Sequence, residues 1–333
     1  MRIAITGEKG FIAKNLANKI ENLGHEFVTL DNSEYANNNM LYTESGEVCV
    51  YSNNSVEWSK LFNHLDIDAI VHNAAIVGTD VVALNPEEAI NTNVLGTKII
   101  TSAANTSNIL NVYIGTTVIY DTYLYQDTEI SESSAIFPRT DYAIQKYAAE
   151  MIVRNTSKEW LVMRPLFAYG GIGDMNSLIS KTLYSIANNI DNIDMFLDPE
   201  KIKDYMHVED FCYAVMQAIN SSVRNDHFNI SAQNPYTTLE IIKMIENVTD
   251  INITEKSNKI KWHPKTDYLG NHRLTNKKFI DEFVYYKNRF LKEGIKEAWN
   301  EIKNSNDEEY NPLKHLDEAK QRDIDLTKFF PKN

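Results

Sequence analysis

Tyr142 and Lys146 stand four residues apart in a stretch with helical spacing. On a helix, positions i and i+4 share one face, so the phenol and the ammonium can meet near one ligand. A free phenol has a pKa of about 10, so a tyrosine that works as a base near neutrality needs a shift of about 3 units. A neighbouring ammonium contributes to that shift by stabilising the phenolate. The pair therefore predicts an acid/base group, and the alternative is an exposed helix face with an extended lysine.

Thr116 directly follows a predicted buried strand at 110–115. Ligands of doubly wound α/β sheets bind at the carboxyl ends of the strands. A hydroxyl at this position can hydrogen-bond the reacting oxygen of a substrate. Thr116, Tyr142 and Lys146 are therefore the predicted catalytic residues.

A glycine-containing loop, Gly-Glu-Lys-Gly-Phe-Ile-Ala, begins at Gly7, follows the first predicted strand and opens a helical pattern. This context is typical of a dinucleotide-binding turn. Gly7 permits a tight turn, Gly10 lets the backbone approach a pyrophosphate, and the helix N-terminus favours its charge. Asp31 ends the second predicted strand, where a carboxylate accepts ribose hydroxyls and repels a 2′-phosphate. The loop and the acid together predict NAD rather than NADP as the cofactor. Taken separately, the loop is also typical of an ordinary βα turn, and Asp31 of a solvated acid at a strand end.

Short β-rich runs alternate with amphipathic helical stretches through the first half of the chain. This alternation predicts an α/β fold with a doubly wound parallel sheet of the Rossmann type. Predicted strands lie at 2–6, 26–31, 47–51, 68–72, 110–115 and 160–164, and predicted helices at 10–23, 56–64, 86–107 and 139–158.

The pattern loosens after residue 165 and predicts a smaller, mixed α/β substrate-binding region. Helices are expected at 175–189, 208–218, 237–248 and 290–302, and a strand at 204–207. We assign residues 1–165 to an NAD-binding domain, to which 203–222 return, and residues 166–305 to the substrate-binding region. Residues 306–333 are polar and charged, and we expect a surface extension there.

The composition excludes several classes of partner. The 333 residues contain 33 Lys and Arg against 46 Asp and Glu, and the formal charge of −13 disfavours nucleic acid and anionic lipid. Cys49 and Cys212 are too few for a disulfide framework or a four-ligand zinc site, so we expect a reducing cytoplasm and no metal. The sequence opens without a signal-peptide pattern, and no apolar run reaches the ~20 residues that span a bilayer. We therefore expect no membrane partner.

The chain to about residue 303 resembles the extended short-chain dehydrogenase/reductase family, which includes the nucleotide-sugar epimerases and dehydratases. Each of the matching motifs is weak alone, but their order along the chain is specific. The motifs are Thr6-Gly7-x-x-Gly10-Phe11-Ile12, Asp31, His72-Asn73-Ala74-Ala75, Asn93-Val94-Leu95-Gly96-Thr97, Thr116 with Tyr120, Tyr142-x-x-x-Lys146, Arg164-Pro165 and Asp204-Tyr205-Met206-His207-Val208-Glu209-Asp210.

The resemblance implies a role for each matching residue. Tyr142 would be the acid/base, Lys146 would hold the nicotinamide ribose and lower the pKa of Tyr142, and Thr116 would take the place of the usual Ser or Thr. Thr117 and Arg273 would contact the substrate, although Arg273 alone is equally typical of a polar surface loop. The cofactor would lie along Gly7, Gly10, Phe11, Ile12, Asp31, Ala74, Ala75, Asn93, Tyr142 and Lys146. Family members often pair through a four-helix interface, so the resemblance also implies a homodimer.

Two positions after Thr116 narrow the reaction that the resemblance implies. Members that eliminate water from the sugar usually carry Asp-Glu there, because elimination needs its own acid and base; this chain has Thr117 and Val118. We therefore expect an NAD-dependent epimerase of a nucleotide-diphosphate sugar, which returns hydride to the opposite face. The alternative within the enzyme class is a keto-sugar nucleotide reductase or dehydrogenase. The alternative from another class is a non-catalytic dinucleotide-sensing protein.

Overall fold

Strands rich in aliphatic residues form the centre of the molecule. A computed structural model describes residues 1–31, 41–42, 48–49, 54–125, 128–171, 173–254, 259–264, 269–283, 289–305, 310–314 and 319. Its strands are β1 (Arg2–Thr6), β2 (Glu26–Asp31), β3 (Leu41–Tyr42), β4 (Val48–Cys49), β5 (Ala69–His72), β6 (Leu110–Ile114), β7 (Trp160–Pro165), β8 (Ala168–Tyr169), β9 (Ile193–Met195), β10 (Ile202–Lys203), β11 (Met206–His207), β12 (Asp226–Ile230), β13 (Tyr236–Thr237) and β14 (Ile260–Trp262).

Helices connect and cover these strands. They are α1 (Phe11–Asn22), α2 (Ser55–His64), α3 (Thr79–Leu84), α4 (Pro86–Ile90), α5 (Thr97–Ser107), α6 (Asp141–Thr156), α7 (Leu178–Ala187), α8 (Val208–Asn220), α9 (Thr238–Thr249), α10 (Lys277–Glu282) and α11 (Leu291–Lys303). A π-helical turn, Asn91–Gly96, joins α4 to α5, and two short 3₁₀ turns, Thr117–Ile119 and Thr122–Tyr125, follow β6.

The main sheet has the strand order β12-β7-β6-β5-β1-β2-β4-β3. Its strands are parallel except β3, which runs antiparallel to β4. Ile3 of β1 pairs with Phe27 of β2 on one side and with Ala69 of β5 on the other. The direction of winding reverses between β1 and β5, and such a switch point opens a ligand-binding crevice at the strands' carboxyl ends. The predicted doubly wound parallel sheet is confirmed.

Each face of this sheet packs against its own helices, because successive side chains of a strand point to opposite sides. Ile5 of β1 belongs to a buried cluster with Leu16 of α1 and Phe211 of α8. Ala4 belongs to the cluster on the other face, with residues of α2 and α5 such as Phe62. The sheet therefore lies between two helical layers, and α8, which follows the substrate-binding region's first helix, packs on α1.

The second region has its own core. Helices α7, α9 and α11 bury Leu183, Ile242 and Ile295 against one another, beside short two-stranded sheets. Tyr310 packs in the same cluster and donates a hydrogen bond to the carbonyl oxygen of Asp174 at 3.2 Å. At this residue the predicted surface extension is wrong, because the ring is only 6% exposed. Residues 306–309, 315–318 and 320–333 lie outside the described part of the structure.

Three element predictions need correction. The predicted helix 86–107 is divided into α4, the π-helical turn and α5. Helix α3 and strand β12 were not predicted, because α3 is short and β12 carries polar residues in Asp-His-Phe-Asn-Ile. Strand β12 pairs with β7 and so belongs to the main sheet, although its sequence position lies within 166–305. Within the described part of the chain, no helix is long and apolar enough to cross a membrane.

Candidate active site

The glycine loop lies at the switch point between β1 and β5. Gly7 has φ +75°, and a Cβ atom on it would come within 2.8 Å of the Cα of Ala74, which follows β5. Both observations exclude any other residue without a shift of the loop. Helix α1 begins after Gly10, and no side chain caps its first N–H groups. The loop therefore forms a cradle in which backbone and helix N-terminus can approach an anion closely.

A buried hydrogen-bonded chain holds the floor of this cradle. The hydroxyl of Thr97 donates to a carbonyl oxygen of the π-helical turn and therefore accepts from Nε2 of His72 at 2.9 Å. Nδ1 of His72 then accepts from the hydroxyl of Thr6 at 2.8 Å. Thr6 in turn accepts from the N–H groups of Asn73 and Ala74, both at 3.1 Å. Burial lowers the pKa of His72 to about 3, so this neutral tautomer persists at neutral pH.

Asn93 uses its amide to connect the loop after β5 with helix α6. Its Oδ1 accepts from the N–H of Ile76 at 2.8 Å, and its Nδ2 donates to the carbonyl of Ile76 and to Gln145 at 3.0 and 2.9 Å. The wide π-helical turn brings the buried side chain to this junction. Asn93 therefore positions Ala74 and Ala75 through the loop, while its predicted contact with the cofactor stays a prediction.

Tyr142 lies in the first turn of α6, whose N-cap Thr140 accepts from the N–H of Ala143 at 3.1 Å. Its hydroxyl shares a side-chain hydrogen bond with Thr116. Thr116 already accepts from the N–H of Val118 at 3.3 Å, so its proton is available to the Tyr142 oxygen. Burial raises the pKa of Tyr142, and the bond to Thr116 lowers it by less. The structure thus brings Thr116 and Tyr142 together, and their catalytic roles stay predictions.

Lys146 lies one turn further along α6 and is buried. Its Nζ donates to the carbonyl oxygen of Ile114 at 2.8 Å and lies 4.4 Å from the ring centre of Tyr113. Burial lowers the pKa of Lys146 to about 7, and Glu150 acts in the opposite direction. The expected net lowering of the Tyr142 pKa is not found, because loss of water around the phenolate outweighs the bond to Thr116.

A small, partly open recess lies beside the 3₁₀ turns that follow β6. The recess is lined by Val118, Tyr120, Asp121, Thr122, Arg139, Thr140 and Leu269. Thr117, one of the two residues predicted to contact substrate, precedes the lining residue Val118 in the chain; it is buried, and its hydroxyl donates to the carbonyl of Pro165 at 3.3 Å. Arg273 is exposed on a segment that pairs with Ile130 through a 2.7 Å backbone hydrogen bond. Contacts of Thr117 and Arg273 with substrate stay predictions.

The positions of the remaining cofactor residues follow from the fold. Phe11 and Ile12 begin α1 and pack partly against the cluster that includes α8. Asp31 ends β2, and its backbone pairs with Cys49 of β4; its side chain lies outside the described part of the structure. The described residues contain no cluster of His, Cys, Asp and Glu that could hold a metal ion.

The sequence analysis missed a buried ion pair behind the catalytic helix. Glu150 of α6 accepts from Nε and Nη2 of Arg164 in β7 at 2.9 and 2.5 Å. The spacing in the sequence could have indicated part of this pair, because Glu150 follows Lys146 by four residues and so lies on the same face of the helix. Arg164 appeared in the sequence analysis only as part of the Arg164-Pro165 motif.

A glycine cradle at the switch point, with a buried Tyr-x-x-x-Lys pair at the neighbouring strand ends, defines a dinucleotide-dependent enzyme of the extended short-chain dehydrogenase/reductase type. Residues 3–231 match the model of the NAD dependent epimerase/dehydratase family, and the chain belongs to this family. Its cofactor is NAD. The close approach of Gly7 to Ala74 and the uncapped start of α1 fit the pyrophosphate of that cofactor.

Proteins similar to this chain include a dehydratase and epimerases, the two activities that the family's description names. The dTDP-glucose 4,6-dehydratase of Escherichia coli is 24% identical over 295 residues, covering 78% of this chain and 80% of that protein. The UDP-glucose 4-epimerase of Thermotoga maritima, solved with UDP-glucose, has a TM-score of 0.76 at 19% identity and covers 91% of this chain and 98% of that one. The UDP-glucuronic acid 4-epimerase of Bacillus cereus, solved with UDP-glucuronic acid and NAD, has a TM-score of 0.76 at 18% identity, with coverage of 91% and 99%. The two structures share the fold of this chain.

Proposed function

We propose that this protein is an NAD-dependent epimerase of a nucleotide-diphosphate sugar. One observation carries the choice of epimerase over dehydratase, namely the absence of an acid pair after Thr116. Thr117 is buried with its hydroxyl on a main-chain carbonyl, and Val118 is apolar. Among the described residues that line the recess, Asp121 is the one carboxylate, and it accepts from the N–H of Tyr123 at 3.0 Å and faces Arg139 at 3.6 Å. This arrangement supports hydride transfer without elimination of water.

The chain's own residues supply the proton chemistry. Tyr142, in its ionised phenolate form, takes the proton of the sugar hydroxyl, while Thr116 donates a hydrogen bond that stabilises the phenolate. Lys146, held by the carbonyl of Ile114, places a positive charge beside this centre when it is protonated. NAD, held along the cradle formed by Gly7, Gly10 and the start of α1, would supply the hydride acceptor and donor for the sugar carbon. Tyr142 then gives the proton back to the oxygen of the inverted centre, so net redox change is zero.

The proposed substrate class rests on the ligands of the solved structures that share this fold. The two solved relatives named above carry UDP-glucose and UDP-glucuronic acid. We assign to this chain the same class of ligand, a sugar joined to a nucleoside diphosphate. Arg273 and Thr117 are the proposed substrate contacts, with Arg273 directed to the diphosphate.

A homodimer is part of this proposal. Three large apolar side chains are exposed along the π-helical turn and helix α6, namely Leu95, Ile144 and Met151. Helices α5 and α6 pack side by side, so two copies can bury these residues in a four-helix contact. Light scattering should give the mass of a dimer, and Ile144→Glu should give the monomer; a wild-type monomer would contradict this part of the proposal.

The test is a panel of UDP-, dTDP- and GDP-linked sugars incubated with the purified protein and NAD. Mass spectrometry and proton NMR then identify the product. An epimerase gives a product of unchanged mass with one inverted centre and no accumulation of NADH. A product lighter by one water would show a dehydratase, and stoichiometric oxidation or reduction of the dinucleotide would show a dehydrogenase or reductase. NAD binding with no turnover across the panel would favour the dinucleotide-sensing alternative.

A further inference from the structure

Helix α6 presents three ionisable side chains to the sheet at a spacing of four residues. They are Tyr142, Lys146 and Glu150, and each is at most 9% exposed. Residues i and i+4 of a helix lie on the same face, about 5–6 Å apart between Cβ atoms. Glu150 is the innermost of the three, with 1% of its surface exposed. A carboxylate at this depth requires a partner, because burial of an unpaired charge is strongly unfavourable.

The partner is Arg164, which is completely buried at the carboxyl end of β7. Two of its nitrogens donate to the two oxygens of Glu150 at 2.9 and 2.5 Å. Its third nitrogen donates to the hydroxyl of Tyr120 at 2.6 Å, and that hydroxyl donates to Oδ1 of Asn229 in β12 at 3.1 Å. Glu150 is therefore fixed to two strands and to the turn that follows Thr116. Bidentate pairs of this kind fix orientation as well as charge.

Glu150 is the negatively charged group nearest to Lys146 along helix α6, as the other ionisable groups around this face show. The groups that face Glu150 or Lys146 are His72 of β5, Tyr113 of β6, Tyr120 of the following turn, Arg164 of β7, His227 of β12, and Tyr142 and Arg154 of α6 itself. Glu132, which accepts from the N–H of Asn229, acts on Arg164 instead. Burial lowers the pKa of His72 to about 3 and that of His227 to about 4, so both imidazoles are neutral near pH 7. Burial also raises the pKa of Tyr113 and Tyr120, so these phenols are neutral too.

We propose that Glu150, clamped by Arg164, is a positioning residue of the active site. The clamp sets the rotation and depth of α6, and with them the approach of Tyr142 to Thr116. The carboxylate supplies a negative charge on the same helix face, which favours the ammonium form of Lys146 in a site shielded from water. The role of Glu150 in catalysis rests on the proposed epimerase function, whereas its effect on Lys146 is independent of any substrate.

The experiment separates charge from packing with two substitutions at the same position. Glu150→Asp keeps the carboxylate, and Glu150→Gln removes it with little change of volume. The pKa of Lys146 is followed by nitrogen NMR of the lysine-labelled protein, with its signal assigned by its loss in Lys146→Met. We expect Lys146 to titrate at about 7 in the wild type, near that value in Glu150→Asp, and about one unit lower in Glu150→Gln.

A second variant covers the case in which Glu150→Gln does not fold because Arg164 loses its partner. Glu150→Met with Arg164→Met removes both charges and restores an apolar contact of similar volume. This double variant should also lower the pKa of Lys146, but by less than Glu150→Gln does, because Arg164→Met removes the paired cation together with the carboxylate. If Lys146 titrates as in the wild type in the folded variants that lack the carboxylate, the proposal is overturned.

Turnover supplies the second readout, and Arg154→Gln is the matched control. Arg154 also contacts Glu150, at 3.2 Å, but its side chain is 29% exposed. Removal of the carboxylate should lower kcat about tenfold with a smaller effect on KM, and should move the alkaline limb of the pH profile about one unit lower. Arg154→Gln should leave both unchanged. An unchanged kcat and profile without the carboxylate would refute the positioning role. Failure to find a nucleotide-sugar substrate would count against the proposed function and leave the NMR result intact.

Discussion

At the scale of the residue, the proposed proton transfer depends on the hydroxyl of Tyr142. Tyr142→Phe removes the proton acceptor and keeps the ring, so turnover should fall by about 10²–10⁴-fold while NAD affinity changes little. Steady-state assays and calorimetric titration with NAD measure the two quantities. Tyr147→Phe makes the same substitution on the same helix at a partly buried ring and should leave turnover unchanged. Undiminished turnover in Tyr142→Phe would remove Tyr142 from the mechanism.

Thr116 offers a second test at this scale. Thr116→Val removes the hydroxyl that bonds Tyr142, and the phenolate loses a hydrogen bond that lowers its pKa. We expect kcat to fall about 10–100-fold and the acid limb of the pH profile to move to higher pH. Thr116→Ser restores the hydroxyl and should restore the wild-type limb. If the valine and serine variants have the same profile, the hydroxyl has no role in proton transfer.

At the scale of the element, the turn between β1 and α1 gives a test with an internal control. Gly7 and Gly24 both have φ +75°, but a Cβ atom would meet the backbone of Ala74 at 2.8 Å only at Gly7; at Gly24 nothing lies within 4 Å. Gly24→Ala should therefore cost about 1–2 kcal/mol from the left-handed backbone alone. Gly7→Ala should lower the free energy of unfolding by more than this, as measured by thermal unfolding. It should also lower the affinity for NAD at least tenfold. Equal effects of the two substitutions would show that the close approach to Ala74 is unimportant.

The same elements show how much the sequence could predict. Six strands of the main sheet and most helices follow from apolar periodicity, and the glycine turn and Tyr-x-x-x-Lys helix were recognised from spacing. The clamp between Glu150 and Arg164 could not be predicted, because it joins residues of different elements whose approach depends on how α6 lies on the sheet. The π-helical turn could not be predicted either, since Asn91–Gly96 continues the helical pattern of its neighbours and its widening depends on the bonds of Asn93.

At the scale of the whole molecule, buried imidazoles control acid stability. Burial lowers the pKa of His72 to about 3 and of His207 and His227 to about 4, and holds that of His272 well below its usual value. The unfolded chain binds protons at these residues below about pH 6.5, whereas the folded chain does not until pH 3–4. Stability should therefore fall as pH falls from about 6.5 to about 4. Asp204 opposes this trend, because burial raises its pKa to about 6.

Thermal unfolding at several pH values measures this dependence. Between about pH 6.5 and pH 4, the slope of the free energy of unfolding against pH should correspond to about three more protons bound by the unfolded state than by the folded state. His227→Gln should reduce the slope by about one proton. A melting temperature that stays constant from pH 6.5 to pH 4.5 would contradict the assignment of neutral buried imidazoles.

The most direct test of the central claim follows one hydrogen atom. A nucleotide sugar that the protein turns over is prepared with deuterium on the carbon that becomes inverted, and the product is examined by NMR and mass spectrometry. We predict that the deuterium remains on the same carbon, now on the opposite face, and that NAD ends the reaction oxidised. Deuterium that accumulates in released NADH, or that moves to another sugar carbon with loss of water, would contradict an epimerase.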